Sequence, residues 1–221
     1  MAMSRSSITL IVLAFALCFT MSIGSYQYFK FVVQWPPAHC RFFKCRYSNP
    51  PQIYTIHGLW PSNRSNAIGN KCHGSPFQQP APPLEANLKI SWPNLENTSD
   101  LQFWERQWDR HGMCSEPTFT QTQYFTRAHE IWMTDDINVT DILRKVNVLS
   151  GTQKEYAEIE YPIELKIQKT PLLRCLNQKN SQSHSQMLHE VVICWDHKAK
   201  KMTDCNAAEA TCSRKSPIDI L

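Results

Sequence analysis

The sequence predicts an α+β fold: a central antiparallel sheet packed with several helices, forming one domain closed by four disulfides. Three observations predict it. Segments rich in aromatic and β-branched residues stand near both ends of the chain, with helical spacing between them. Eight cysteines follow an N-terminal segment built like a secretory leader. No repeat, heptad pattern or linker composition divides the chain.

Arg5 gives a short positive start, residues 8–19 form an apolar run, and small residues follow at Ser22, Gly24 and Ser25. That order is a secretory signal peptide over residues 1–24, cleaved after 24 or 25. A membrane anchor is the other reading, but a spanning helix needs about 20 apolar residues. No later segment is apolar for long enough to span. The mature protein is therefore expected to be extracellular and free of membrane, as a single domain over residues 25–221.

Residues 26–35 read as a strand ended by Pro36 and Pro37, and residues 53–56 as a short strand ended by Gly58. Residues 62–83, rich in Asn, Ser, Gly and Pro, read as one long loop. Helices are predicted over residues 84–90, 101–113, 118–133 and 140–149. Residues 188–195 read as a strand, and residues 201–205 as its antiparallel return through a turn at 196–200.

Of nine cysteines, Cys18 lies in the leader. The other eight are Cys40, Cys45, Cys72, Cys114, Cys175, Cys194, Cys205 and Cys212. An even count behind a leader predicts four disulfides, although eight cysteines permit on the order of a hundred pairings. Zinc binding is the competing use of Cys and His; no tight CxxC pair is present, so no metal is expected. Sequons at Asn63, Asn97 and Asn138 predict glycan on surface loops. Loss of Arg5 with the leader reduces the 23 basic residues to 22 against 19 acidic, a net charge of +3. This excess permits a polyanionic partner without demanding one.

Two segments carry chemistry. In FWERQWDRHGMC, residues 103–114, a helical projection gathers Phe103, Arg106, Gln107, Arg110 and His111 into one arc of roughly 140°. Trp104 and Trp108 fall on the neighbouring arc with Leu101, a face suited to a core. The polar arc could be an ordinary solvated face. Two arginines four residues apart repel, however, unless an anion or acid neutralises them, and a phosphate does so with bidentate geometry. In IHGLWP, residues 56–61, His57 ends a strand beside Trp60. Cleaving RNA through its own 2′-hydroxyl needs a base for that proton and an acid for the leaving 5′-oxygen. Imidazole suits both roles, and Arg106 and Arg110 could stabilise the transition-state charge without a metal. His39, His73, His129, His184, His189 and His197 have no such company in the sequence and read as surface or core residues.

These two segments resemble the two active-site motifs of the ribonuclease T2 family. YFKFVVQWPPAHC, residues 28–40, resembles that family's first strand. TPLLRC (170–175) and LHEVVICW (188–195) look most like plant self-incompatibility ribonucleases. The resemblance implies His57 as general acid, His111 as general base and Gln107 as the third catalytic residue, with no cofactor. It implies RNA contacts from these three, from Arg106 and Arg110, and from the base-binding positions Gln34, Asn94, Leu95 and Phe103. Gln107 stands where many members have glutamate, Arg106 where histidine or lysine is common, Arg110 where lysine is usual and Met113 where threonine is usual. The resemblance also implies the pairings Cys40–Cys45, Cys72–Cys114, Cys175–Cys212 and Cys194–Cys205. The implied activity is endonucleolytic cleavage of single-stranded RNA to 2′,3′-cyclic phosphates by a secreted monomer. Pollen rejection through a pollen-side protein partner is the implied role, with residues 62–75 as the recognition loop. Defence or phosphate recovery, or an RNA- or protein-binding glycoprotein without activity, are the alternatives.

Overall fold

The computed structural model describes residues 26–64, 72–116, 118–148, 150–177 and 186–221. The leader, His184 and residues 65–71 of the proposed recognition loop lie outside the described residues. The elements in chain order are β1 (Tyr28–Gln34), α1 (Pro36–Phe42), β2 (Thr55–Ser62), α2 (Pro82–Ser91), α3 (Asp100–Arg110), α4 (Gln121–Trp132) and α5 (Val139–Lys145). They continue with β3 (Thr152–Lys154), α6 (Tyr156–Ile167), β4 (Leu172–Asn177), β5 (Gln186–Asp196), β6 (Met202–Thr203) and β7 (Ile218–Ile220). The fold is the expected α+β domain.

The sheet runs β2-β1-β5-β7-β3, with β4 and β6 also paired to β5. All pairs are antiparallel except β5–β7. Alternation along the strands splits the sheet's two faces. Phe29, Phe31 and Val33 of β1 and Val191, Ile193 and Trp195 of β5 are buried in one core with Trp92, Trp104, Trp108, Tyr124 and Phe125 from the helices. Tyr28 and Val32 face the other way, in a smaller cluster with Leu172, Val192 and Cys194. On that second face, Gln34 stands opposite Glu190, and Glu190 opposite Arg174.

Several boundaries differ from expectation. Pro36 and Pro37 do end the first strand, but they also open α1, where the missing N–H of the first turn costs nothing. Strand β2 runs through Gly58 to Ser62 rather than stopping at the glycine. Helix α3 ends at Arg110, and a 3₁₀ turn over Gly112–Ser115 replaces the predicted continuation to Met113. Helix α6 and strand β4 were not anticipated from the sequence. The disulfides are Cys40–Cys45, Cys72–Cys114, Cys175–Cys212 and Cys194–Cys205. Among the described residues, no helix is long and apolar enough to cross a membrane.

Candidate active site

The two histidine segments meet because of a β-bulge and a helix end. Between β1 and β2 the register shifts, so that Val32 faces Gly58 while Val33 faces Ile56, leaving His57 as the extra residue. Without the bulge, residues three apart would point to opposite faces of the strand. With it, Ile56 and Leu59 both reach zero exposure in the helix-side core, and His57 and Trp60 share the opposite face. The strand is pinned from the core side through two of its carbonyls. Trp92 Nε1 donates to the His57 carbonyl at 3.0 Å and Tyr124 Oη to the Leu59 carbonyl at 2.7 Å. Glycine is required at 58, because a Cβ there would fall inside the Trp60 indole.

Helix α3 starts at a reciprocal cap, Ser99 with Gln102. It buries Trp104 and Trp108 completely, as its apolar arc predicts. His111 is the residue after the last turn, with φ −134° and ψ −61°, and its N–H bonds the Gln107 carbonyl at 3.1 Å. Cys114, three residues on, is tied to Cys72, so the loop after β2 is fastened directly behind the second histidine.

The Trp60 indole joins the two segments. Its ring lies 5.2 Å from the His57 ring, edge-on, and 5.1 Å from the His111 ring. Trp60 Nε1 donates to Gln107 Oε1 at 3.0 Å. Gln107 is 7 % exposed; with its oxygen held by the indole, its NH₂ group is the end available to the cleft. Burial, then the neighbouring charges of His57 and Arg110, push the His111 imidazole down to about 4. It is therefore neutral at ordinary pH.

A cleft of about 310 Å³ opens beside His57, lined among others by Gln34, Leu95, Phe103, Arg106, Gln107 and Arg110. The Phe103 ring stacks at 6.4 Å from His57 with an interplanar angle of 22°. Gln34 is 2 % exposed, and its buried Oε1 has no hydrogen-bond partner among the described residues. Arg106 donates to Thr98 Oγ1 at 3.1 Å. Neither Arg106 nor Arg110 has an acidic partner among the described residues, which leaves both cations for an anion in the cleft. Asn94 also lines the cleft, but its amide is engaged locally. Nδ2 donates to the Thr98 carbonyl at 2.8 Å and to Thr98 Oγ1 at 2.6 Å, and Oδ1 accepts from the Glu96 N–H at 3.1 Å. Asn94 thus shapes the loop over residues 94–99, and its side chain has no free donor pair for a base edge.

Sequence reasoning missed the groups behind His57. Glu190 Oε1 lies 2.5 Å from His57 Nδ1, and Glu190 is 6 % exposed. Arg174 Nη1 lies 3.4 Å from the other carboxylate oxygen and stacks 5.6 Å over Trp60. Burial alone would raise the Glu190 carboxyl; the hydrogen bond and charge of His57, with the Arg174 guanidinium, hold it well below the usual carboxylate range. His39 and His189, read from sequence as isolated, are both buried and 3.2 Å apart, His39 Nδ1 to His189 Nε2. Burial lowers both, His189 to about 4. His73 and His197 are exposed, and His129 bonds Ser91 Oγ at 3.0 Å, away from the cleft. Asn97 is exposed beside the cleft loop, while Asn138 caps α5 by accepting from the Asp141 N–H. Asn63 Oδ1 is buried and has no hydrogen-bond partner among the described residues, and the sequon's Ser65 lies outside them.

Residues 26–205 match the model of the ribonuclease T2 family. Ribonuclease S-1 of Pyrus pyrifolia is 32 % identical over 203 residues, 89 % of this chain and 88 % of that protein. Ribonuclease MC of Momordica charantia is 35 % identical over 182 residues, 80 % of this chain and 93 % of that one. The crystal structure of a mutant of RNase MC1 in complex with 5′-UMP superposes with a TM-score of 0.79 at 32 % identity, covering 88 % of this chain and 98 % of that one.

Proposed function

From the premise that the chain belongs to the ribonuclease T2 family and is an endoribonuclease, we propose that it cleaves single-stranded RNA without a metal, using His111 as base and His57 as acid. Neutral His111 takes the proton of the 2′-hydroxyl. The oxygen attacks phosphorus, and the bond to the 5′-oxygen breaks as His57 gives that oxygen a proton. The products are a 2′,3′-cyclic phosphate and a free 5′-hydroxyl. Charge on the phosphorane-like transition state meets the Gln107 amide and the Arg106 and Arg110 guanidinium groups. The observation that carries the reading is the pairing of environments. One imidazole is desolvated and neutral, the other faces a buried carboxylate, and a single indole separates them.

The 310 Å³ cleft is the proposed seat of a base next to the scissile phosphate. Phe103 offers a ring for stacking, Leu95 an apolar wall and Gln34 an unpaired Oε1 that a base N–H would satisfy. Asn94 acts by holding the loop over residues 94–99. The complex of RNase MC1 with 5′-UMP supports nucleotide binding here by similarity.

His57→Ala and His111→Ala are each expected to lower RNA cleavage on the order of 100-fold or more, the scale of general acid–base catalysis. Full activity in either variant removes the two-histidine mechanism. Secretion and a role in pollen rejection are proposed on the similarity to Ribonuclease S-1 and on the four disulfides. Exchange of residues 62–75, sparing Cys72, for those of another allele is expected to leave cleavage intact and alter rejection. Unchanged rejection across several exchanges would remove this loop as the determinant, and absence from the style would remove the role.

A further inference from the structure

Glu190 is a buried side chain in contact with His57. It sits inside the sheet, on a strand paired on both sides, opposite Gln34 of β1 and Arg174 of β4. Its Oε1 is 2.5 Å from His57 Nδ1. His57, by contrast, stands on the bulged residue of β2, the irregular point of its strand. A donor–acceptor pair of that length requires the proton on Nδ1 when the carboxylate is ionised. The ring's other nitrogen, Nε2, is then the one that can serve the cleft.

The remaining charges near this pair come from several elements. Arg174 of β4 approaches the far oxygen at 3.4 Å. His189 Nδ1 on β5 is 3.9 Å from Glu190 Oε1, and His39 of α1 lies behind it. Glu96 Oε1 is 3.4 Å from His39 Nε2. Arg106 and Arg110 of α3 line the cleft on the side of the substrate, and His111 lies across Trp60. Burial lowers His39 below the ordinary histidine value and His189 to about 4, so His189, the nearer of the two to the carboxylate, is a neutral ring that does not compete with His57 for it. Arg174 balances the second oxygen, and the first is left to the imidazole.

We propose that Glu190 is the positioning residue of the general acid: it fixes the His57 tautomer with the proton on Nδ1, aims Nε2 at the leaving 5′-oxygen and stabilises the imidazolium before transfer. This rests on the assignment of His57 as the acid. In the step itself the bond from phosphorus to the 5′-oxygen breaks and the Nε2 proton passes to that oxygen. His57 is left neutral, its Nδ1–H still donated to Glu190, which never takes a proton. His111, whose surroundings hold no carboxylate partner among the described residues, is left to act as the base. The acid and base roles are therefore set by one buried residue 133 positions away in sequence.

The test compares two leaving groups. A 4-nitrophenoxide departs without protonation, so a nucleoside 3′-(4-nitrophenyl phosphate) bypasses the acid, whereas RNA does not. Wild type, Glu190→Gln and His57→Ala are assayed on RNA and on the four nucleoside 3′-(4-nitrophenyl phosphates). For Glu190→Gln the expected result is a fall in kcat on RNA of about 10-fold or more, since loss of a carboxylate that sets a catalytic imidazole's tautomer can cost up to roughly 10⁴-fold, with KM little changed. Cleavage of the nitrophenyl esters should stay within about threefold of wild type, and the alkaline limb of the RNA pH profile should move to lower pH while the acidic limb stays. Equal loss on both substrate types, or an unmoved alkaline limb, overturns the proposal. If His57→Ala itself loses both substrates equally, the assignment of His57 as acid fails first, which separates the two claims. Should the variant not fold, ¹⁵N shifts of the wild-type imidazoles decide. A neutral His57 protonated on Nδ1 is expected; protonation on Nε2 contradicts the proposal.

Discussion

At the scale of single residues, the proposed site gives two identical side chains different surroundings. His111 meets an indole and the Arg110 charge in a desolvated position; His57 meets a buried carboxylate. The sign of the pH dependence follows. A base must be neutral, and the free His111 is held down to about 4, so kcat/KM should persist at acid pH and be lost only as pH falls through about 4. Arg110→Ala removes one of the charges that lower His111, so its acidic limb should move to higher pH. A wild-type limb at the ordinary histidine value, or an unmoved limb in Arg110→Ala, would contradict this electrostatic picture. That both histidines, Gln107 and the two arginines would lie together was legible in the sequence, because two short segments carry them. Glu190 and Arg174 were not: strand register brings Glu190 to His57 and Arg174 to Glu190, which short-range spacing cannot reveal. Asn94 shows the opposite limit. Its type and place suit a base contact, but the loop it closes uses its donors.

The elements supply rigidity where the residues need it. The bulge at His57 turns an alternating strand into one that presents His57 and Trp60 together, and Gly58 leaves room for the indole to fold back. Gly58→Ala should displace Trp60, and with it both imidazoles and Gln107. Activity should fall on the order of 10-fold or more, as expected when catalytic groups are misplaced. Normal turnover in that variant would mean the indole is not the spacer. Sequence periodicity found α3 and α4 with boundaries within a few residues, since each carries a capping box and a 3.6-residue apolar pattern. It missed α6. Tyr156, Ile159, Ile163 and Ile167 are all buried at helical spacing, but Pro162 in the interior argues against a helix until burial outweighs its cost. Strand β4 was missed because it is short and its pattern is broken by a bulge at Arg174 and Cys175.

Taken whole, the molecule keeps neutral histidines inside and stabilises them by packing rather than by charge. The unfolded chain binds protons at His189 and His111 near 6.5, while the folded chain resists until about 4. Between those values the unfolded state holds more protons, so stability should decline as pH falls from about 6.5 to 4. His189 alone accounts for up to about 3 kcal/mol of that loss. Glu190, held below the usual carboxylate range, adds a further loss at still lower pH. Urea midpoints at pH 7, 5.5 and 4 should fall in that order; a flat series would mean the buried histidines are charged or solvated in the native state. Three of the four disulfides tie the C-terminal segment and the loop behind His111 to this frame, and Cys40–Cys45 closes a local loop. They were legible as a count from sequence, and as pairs only through the family resemblance.

Cyclising cleavage by two histidines without a metal leaves its mark in the chemical form of the products. Yeast RNA digested in excess chelator and followed by ³¹P NMR should give 2′,3′-cyclic phosphate as the first product, at the rate seen without chelator. Products ending in 5′-phosphate, or loss of cleavage in chelator that added divalent ions restore, would contradict it.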